Sequence, residues 1–101
     1  MARKAVPLKE KDVKKRLEAL SAWVPNKKHT QLTKKFEFGS AISALAFMAK
    51  ILVHAEVVGH HPHFEVSEGD VKVILITKEA KGLTAKDFSL AKRIDNLSVD
   101  Y

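Results

Sequence analysis

The sequence contains no cysteine, and only four glycines and three prolines in 101 residues. Without cysteine, disulfide bonds and thiolate metal sites are excluded, and this absence suits a reducing cytoplasm. With 46% apolar and 30% charged residues, the chain does not fit collagen, low-complexity or disordered proteins. Residues 1–12 lack the apolar segment that a secretory signal requires. We therefore expect one domain over residues 1–101, located in the cytoplasm.

Positive charge is concentrated in the first third of the chain. Residues 1–35 hold eleven lysines and arginines against three acids, although the whole chain has a net charge of only +6. Basic segments of this kind occur in nucleic-acid-binding proteins. Here, however, the lysines stand beside apolar residues at helical spacing, which is typical of a solvated helix face. We favour the solvated face and do not expect a nucleic-acid partner.

The hydrophobic pattern predicts an α+β fold with the order α-β-β-α-β-β-α. Its four strands are expected to form an antiparallel sheet with the helices packed on one face. Lys34 interrupts the apolar phase of its strand and indicates a strand end or a sheet edge. Thr84 and Asp87 form a capping box in which Thr serves the backbone and Asp reaches back, so a last helix begins there. The predicted helices and strands cover residues 8–21, 23–25, 29–38, 41–58, 64–67, 71–77 and the segment after residue 84.

The segment 41–58 has fourteen apolar residues in eighteen. Ser40 provides an N-cap, and Gly59 is suited to the left-handed conformation that often ends a helix. A membrane span needs ~20 mostly apolar residues, and Lys50 and Glu56 interrupt this segment, so no membrane partner is expected. We predict a helix that packs on the sheet and against another subunit.

Four of the five histidines lie within residues 54–63. Histidine exchanges a proton near neutral pH, which suits acid/base chemistry. Pro62 favours an extended conformation at His61. The rings of His60 and His61 should therefore point to opposite sides, unless a bend at Gly59 brings both into one cleft.

Glu56 lies in the last turn of the predicted helix, where a negative charge opposes the helix dipole at a cost of ~0.3–1 kcal/mol. A hydrogen bond from His60 is the predicted compensation. N–H donors of a bound heterocycle, or simple exposure in a frayed turn, are the alternatives. The same residues are zinc-ligand types, but no familiar zinc spacing is present, so we expect no metal.

Residues 56–62 (EVVGHHP) resemble the E-x-x-x-H-H-P signature of the pterin-4a-carbinolamine dehydratases. The likeness continues in residues 82–87 (GLTAKD) and covers about residues 8–97. This resemblance implies the α+β fold predicted above and assembly as a homodimer or homotetramer. It also implies a cofactor-free enzyme of tetrahydrobiopterin recycling, which removes water from 4a-hydroxytetrahydrobiopterin to give quinonoid dihydropterin.

By this resemblance, His60 and His61 carry the acid/base chemistry and Glu56 holds the amide and amino edge of the pterin. Pro62 and Asp87 are expected to contact the same substrate. Lys78 stands where the family usually has His or Trp, and is expected either to donate to the substrate or to face solvent. Glu68 stands where an aromatic residue is usual. The alternative function is that of a non-catalytic, dehydratase-like protein that acts in binding, assembly or dimerisation.

Overall fold

A computed structural model describes residues 6–98 of the chain. The order of the elements confirms the predicted α+β fold, and a short 3-10 helix that was not predicted follows the last strand. The elements are α1 (Glu10–Leu17), β1 (Val24–Pro25), β2 (Leu32–Glu37), α2 (Ala41–Val58), β3 (His63–Ser67), β4 (Asp70–Leu75), the 3-10 helix (Lys78–Ala80) and α3 (Ala85–Ser98).

The four strands form one antiparallel sheet in the order β1-β2-β4-β3. Ser67 pairs with Asp70, so Glu68 and Gly69 form a two-residue turn between β3 and β4. Both turn residues have positive φ angles, of 49° and 91°, as a tight hairpin of this type requires. This turn makes β3 and β4 a hairpin and leaves β3 at one edge of the sheet.

The core lies between one face of the sheet and the helices. Alternate residues of β2 and β4 point into it, as period-2 alternation predicts, and all of these except the partly buried Lys34 are buried. In α3 the apolar residues of one face are buried or partly buried in the same core. The core residues of these three elements include Leu32, Phe36, Val71, Val73, Leu75, Phe88, Ala91, Ile94 and Leu97.

The first helix is shorter than residues 8–21, because it ends at Leu17. The apolar residues at helical spacing nevertheless face the core: Val13 is fully buried, and Leu8 and Leu20, which flank the helix, pack against the core. Lys14 pairs with Glu10 at 3.5 Å, and both side chains are exposed. The basic residues of α1 therefore lie on the solvated face, as we expected.

The strand end or edge position predicted from Lys34 is wrong. Lys34 lies inside β2, which has neighbours on both sides. Its Nζ atom lies 2.8 Å from Oδ1 of Asp95 in α3 and 4.8 Å from the ring centroid of Phe36. The same carboxylate oxygen accepts the indole N–H of Trp23 at 3.0 Å. A carboxylate from another element thus compensates the lysine charge within the partly buried face.

Both predicted ends of α2 are confirmed. The Ser40 hydroxyl accepts the Ser43 N–H at 3.1 Å, and Gly59 is left-handed with φ 72°. One face of α2 is buried on the sheet, through residues that include Phe47 and Ile51. By length and composition alone α2 is apolar enough to cross a membrane, a weak criterion that core helices also meet. The large apolar residues of α2 that stay exposed are Ile42, Leu45, Leu52, Val53, Val57 and Val58.

Candidate active site

Two histidines leave the end of α2 and find different carboxylate partners. After the left-handed Gly59, His60 Nε2 lies 2.8 Å from Oδ1 of Asp87. His61 Nε2 lies 2.9 Å from Oε1 of Glu56. The predicted hydrogen bond between His60 and Glu56 is therefore wrong. The turn at Gly59 directs His60 toward α3 and returns His61 over the last turn of α2. The charge of Glu56 is therefore compensated by His61 and not by His60.

Asp87 lies behind His60 and is completely buried. Its Oδ2 atom accepts the Thr84 N–H at 3.0 Å and the Thr77 hydroxyl at 2.7 Å. The backbone bond confirms that Asp87 reaches back in the capping box. The Thr84 hydroxyl, however, lies 2.9 Å from the hydroxyl of Thr77 rather than serving the helix backbone. The Asp87 side chain is fully buried in this structure, and its expected contact with substrate stays a prediction.

The pair formed by His61 and Glu56 is open to solvent. The side chain of His61 is 48% exposed and that of Glu56 is 75% exposed, against 11% and 0% for His60 and Asp87. Within the part of the chain that the structure describes, His61 is the one hydrogen-bond partner of Glu56. The Glu56 carboxylate therefore remains accessible to donors from a ligand.

One cavity of about 210 Å³ is bordered by both His60 and His61. It lies where α2 ends and where the chain leaves β4 for the 3-10 helix. Lys78, which begins that short helix and is exposed, belongs to its wall. The cavity is lined by Gly59, His60, His61, His63, Ile76, Lys78 and Glu79. The bend at Gly59 thus brings the histidine pair into one cleft. Lys78, from the segment after β4, belongs to the wall of the same cleft.

The remaining residues of this segment differ in their position relative to the cavity. Glu56 is not part of the lining but is hydrogen-bonded to His61, which is. Pro62 is buried and is not part of the lining. His63, one of the four clustered histidines, also lines the wall. Thr77 was missed altogether, because a buried threonine at the end of a strand has no distinctive sequence signal.

A second cavity of about 250 Å³ lies between α2 and α3 and is also bordered by His60. Its wall is mostly apolar, with Val58 and Leu90 among its residues, and it does not include His61. Proton transfer to and from one substrate needs two titratable groups within reach. The cavity with both histidines is therefore the candidate active site.

Across residues 6–98, no group of three or more histidine, aspartate or glutamate side chains is arranged to hold a metal ion. His60 and His61 are each paired with a separate carboxylate. The arrangement in this part of the chain is that of two imidazole–carboxylate pairs. Such pairs orient histidine rings for proton transfer.

Comparison with known proteins identifies relatives over almost the whole chain. The family described as "Pterin 4 alpha carbinolamine dehydratase" matches residues 6–97. A protein from Nostoc sp. named "Putative pterin-4-alpha-carbinolamine dehydratase" is 38% identical over 90% of this chain and 96% of its own length. A protein of the same name from Acidobacterium capsulatum is 36% identical over 89% of this chain and 96% of its own length.

Two solved structures share the fold. The crystal structure of a "transcriptional coactivator/pterin dehydratase" from Brucella melitensis has a TM-score of 0.86 and 28% identity, and the match covers 91% of this chain and 98% of that one. A "pterin dehydratase-like protein", described as a RuBisCO assembly factor in the alpha-carboxysome, has a TM-score of 0.66 and 26% identity, over 77% of this chain and 90% of that one. Together with the matched family and the curated relatives, these likenesses establish that the chain belongs to the pterin 4 alpha carbinolamine dehydratase family.

Proposed function

We propose that this protein is a hydro-lyase that converts 4a-hydroxytetrahydrobiopterin to quinonoid dihydropterin, in the cytoplasm and as part of tetrahydrobiopterin recycling. The observation that carries this proposal is one cavity with two imidazoles in its wall, each held by its own carboxylate. The curated relatives bear the name of this activity.

The reaction requires two proton transfers at neighbouring atoms of the substrate. A base accepts the proton on N5, and the electron pair of that N–H bond forms the N5=C4a double bond. The C4a–O bond breaks, and an acid donates a proton to the departing hydroxyl, which leaves as water. Histidine suits both tasks near neutral pH, and we assign them to His60 and His61.

The hydrogen bonds of His60 favour it as the base. Asp87 already accepts two donors on Oδ2, so we take its Oδ1 as an acceptor from the Nε2–H of His60. In the neutral ring the lone pair is then on Nδ1, which is the atom that accepts the N5 proton. His61 acts as the acid, since its protonated ring keeps the Nε2–H bond to Glu56 and donates from Nδ1.

The other site residues bind and orient the substrate in this proposal. The exposed carboxylate of Glu56 accepts the parallel N–H donors of the pterin amide and amino edge. Lys78, in the wall of the same cavity, donates to the leaving hydroxyl or to a ring oxygen. Pro62 acts on the backbone, because its fixed φ angle restricts the turn that carries His61.

Stopped-flow absorbance with synthetic 4a-carbinolamine tests the activity directly. We expect faster dehydration with the protein than without it, and a loss of about 10²–10⁴-fold in His61→Ala, as for removal of a general acid. His54→Ala is the matched control, since the ring of His54 lies outside this cavity. Equal rates for the wild type and His61→Ala would reject the assignment.

We also propose that the protein is a homodimer or homotetramer in which α2 contributes to the interface. Several large apolar side chains of α2 are exposed in the single chain, among them Ile42 at 76% and Val57 at 80%. Large exposed apolar patches mark interaction surfaces. Sedimentation at micromolar concentration should give a species heavier than 11.3 kDa. Ile42→Lys should weaken that assembly, and sedimentation of the 11.3 kDa species alone contradicts the proposal.

The second candidate function is that of a non-catalytic binding or assembly protein. Lys78 and Glu68 at positions where the family usually has other side chains favour it, as does the likeness to a protein described as an assembly factor. Since α2 has an exposed apolar face, a partner protein would have a surface to occupy. This candidate predicts no acceleration of dehydration by the wild type, so the stopped-flow measurement separates the two.

A further inference from the structure

A continuous chain of side-chain hydrogen bonds runs behind His60, from Thr84 through Thr77 and Asp87 to the ring. Its three side-chain contacts measure 2.9 Å, 2.7 Å and 2.8 Å. We propose that Thr77 is a positioning residue, which orients the Asp87 carboxylate and thereby determines which nitrogen of His60 faces the reaction. This inference rests on the proposed function in its catalytic part, whereas its structural part is independent of it.

The direction of each hydrogen bond follows from the number of protons available. A threonine hydroxyl has one proton, and that of Thr77 is donated to Oδ2 of Asp87. In the contact between the two hydroxyls Thr84 must therefore be the donor. Oδ2 also accepts the Thr84 N–H. An ionised carboxylate has no proton to give, so Oδ1 accepts from His60 Nε2–H.

Each of these groups is removed from solvent, and this makes the arrangement rigid. Thr77 is 2% exposed, Thr84 6% and Asp87 0%. Within residues 6–98 no buried side-chain nitrogen or oxygen lacks a hydrogen-bond partner. Because an unsatisfied buried polar group is costly, rotation of the Asp87 carboxylate away from these donors is disfavoured. The neutral His60 ring is thus kept with its proton on Nε2 and its lone pair on Nδ1.

Thr77 acts through Asp87 and not by contact with substrate. Its side chain is absent from the wall of the two-histidine cavity, although its neighbours Ile76 and Lys78 belong to that wall. Thr77 also precedes the 3-10 helix that begins at Lys78. The buried Thr77 hydroxyl therefore connects the segment after β4 to Asp87 at the start of α3, and through Asp87 to the ring of His60.

Kinetics of three variants test the catalytic part. Thr77→Val keeps the shape but removes the donor to Asp87, and should lower kcat about 10- to 100-fold, as expected for one hydrogen bond to a charged group. KM should stay unchanged, because Thr77 does not touch the substrate. Thr77→Ser restores the hydroxyl and should restore kcat. Thr84→Val is the matched control, since it removes a neighbouring buried hydroxyl while both donors to Asp87 Oδ2 remain, and its kcat should stay within about threefold of the wild type.

Nitrogen-15 NMR of the His60 ring tests the structural part without any activity. In the wild type at a pH where the ring is neutral, the proton should be on Nε2 and Nδ1 should be unprotonated. In Thr77→Val a second population, with the proton on Nδ1, should appear, and it should be absent from Thr77→Ser and Thr84→Val. A wild-type ring with its proton on Nδ1 overturns the proposal even if Thr77→Val does not fold.

The two readouts distinguish failure of this inference from failure of the proposed function. An inactive wild type whose His60 ring responds to Thr77→Val refutes the dehydratase assignment and supports the positioning of His60. An active wild type whose ring spectrum and kcat are both unchanged in Thr77→Val refutes the role of Thr77 and leaves the dehydratase in place. Equal losses in Thr77→Val and Thr84→Val also contradict it, because they indicate a general packing defect.

Discussion

The two histidine–carboxylate pairs at the end of α2 have almost the same length but opposite surroundings. His60 and Asp87 are 2.8 Å apart, with 11% and 0% of their side chains exposed, and His61 and Glu56 are 2.9 Å apart, with 48% and 75% exposed. Asp87 has two further protein donors on its second oxygen, whereas Glu56 has none among the described residues.

This difference in exposure suits the two histidine–carboxylate pairs to different tasks. The buried carboxylate cannot change its partners without leaving polar groups unsatisfied, so it maintains one orientation of His60. The exposed carboxylate contributes little to stability and can exchange or add partners in solvent. The proposed assignment follows this division, with a fixed base at His60 and an adaptable, substrate-facing pair at His61 and Glu56.

The largest expected effect comes from removing the buried acceptor. Asp87→Ala leaves three donors without their acceptor and should lower the free energy of unfolding by about 3–5 kcal/mol, since each buried donor left unsatisfied costs about 1–3 kcal/mol. Urea unfolding measures this loss. Asp70→Ala is the control, since its ion pair with Lys35 is partly exposed, and it should cost less than about 1 kcal/mol. Similar losses for both variants would remove the distinction between buried and exposed pairs.

An intermediate effect is expected on substrate binding at the exposed pair. Glu56→Gln keeps the size of the side chain but replaces a carboxylate oxygen with an N–H donor, so it should raise KM about 10-fold through the loss of a charge-assisted hydrogen bond. Steady-state dehydration kinetics measure it. Glu18→Gln, on the C-cap of α1, should leave KM unchanged. If Glu56→Gln lowers kcat alone, Glu56 does not bind the substrate edge.

The smallest expected effect is the coupling within the exposed pair. A double-mutant cycle with His61→Ala and Glu56→Ala should give less than about 1 kcal/mol in the free energy of unfolding. In 1 M salt this coupling should decrease further, because exposed charges are screened over a few ångströms. A coupling that equals that of His60 with Asp87, or that resists salt, would show that exposure does not separate the two pairs.

The elements of the fold were predictable wherever their signals are local. The ends of α2 follow from Ser40 and Gly59, which act on the backbone next to them, and the hairpin follows from two turn residues. Lys34 was misjudged because its compensation comes from Asp95, 61 residues away in the sequence. A strand pattern contains no information about a carboxylate on a helix that packs later against it.

The candidate site was predicted in its residues but not in its pairing. The motif and the neutral-pH chemistry of histidine indicated His60, His61 and Glu56, and the turn at Gly59 brings both rings into one cavity. Both His60, four residues after Glu56, and His61, five residues after it, could reach back to that carboxylate. The turn at Gly59 places His61 there. Asp87 was recognised, but its burial behind His60 could not be inferred from a capping motif.

The amino-acid sequence by itself determined the order of helices and strands, the ends of α2 and the family, because periodicity, caps and a contiguous motif act over a few residues. Only the tertiary structure decided which carboxylate is paired with which imidazole, that the Thr77 hydroxyl donates to Asp87, and that Lys34 lies inside the sheet. The physical reason is that a hydrogen bond requires its atoms within about 3 Å. For groups on different elements, that distance depends on how α3 packs against α2 and the end of β4.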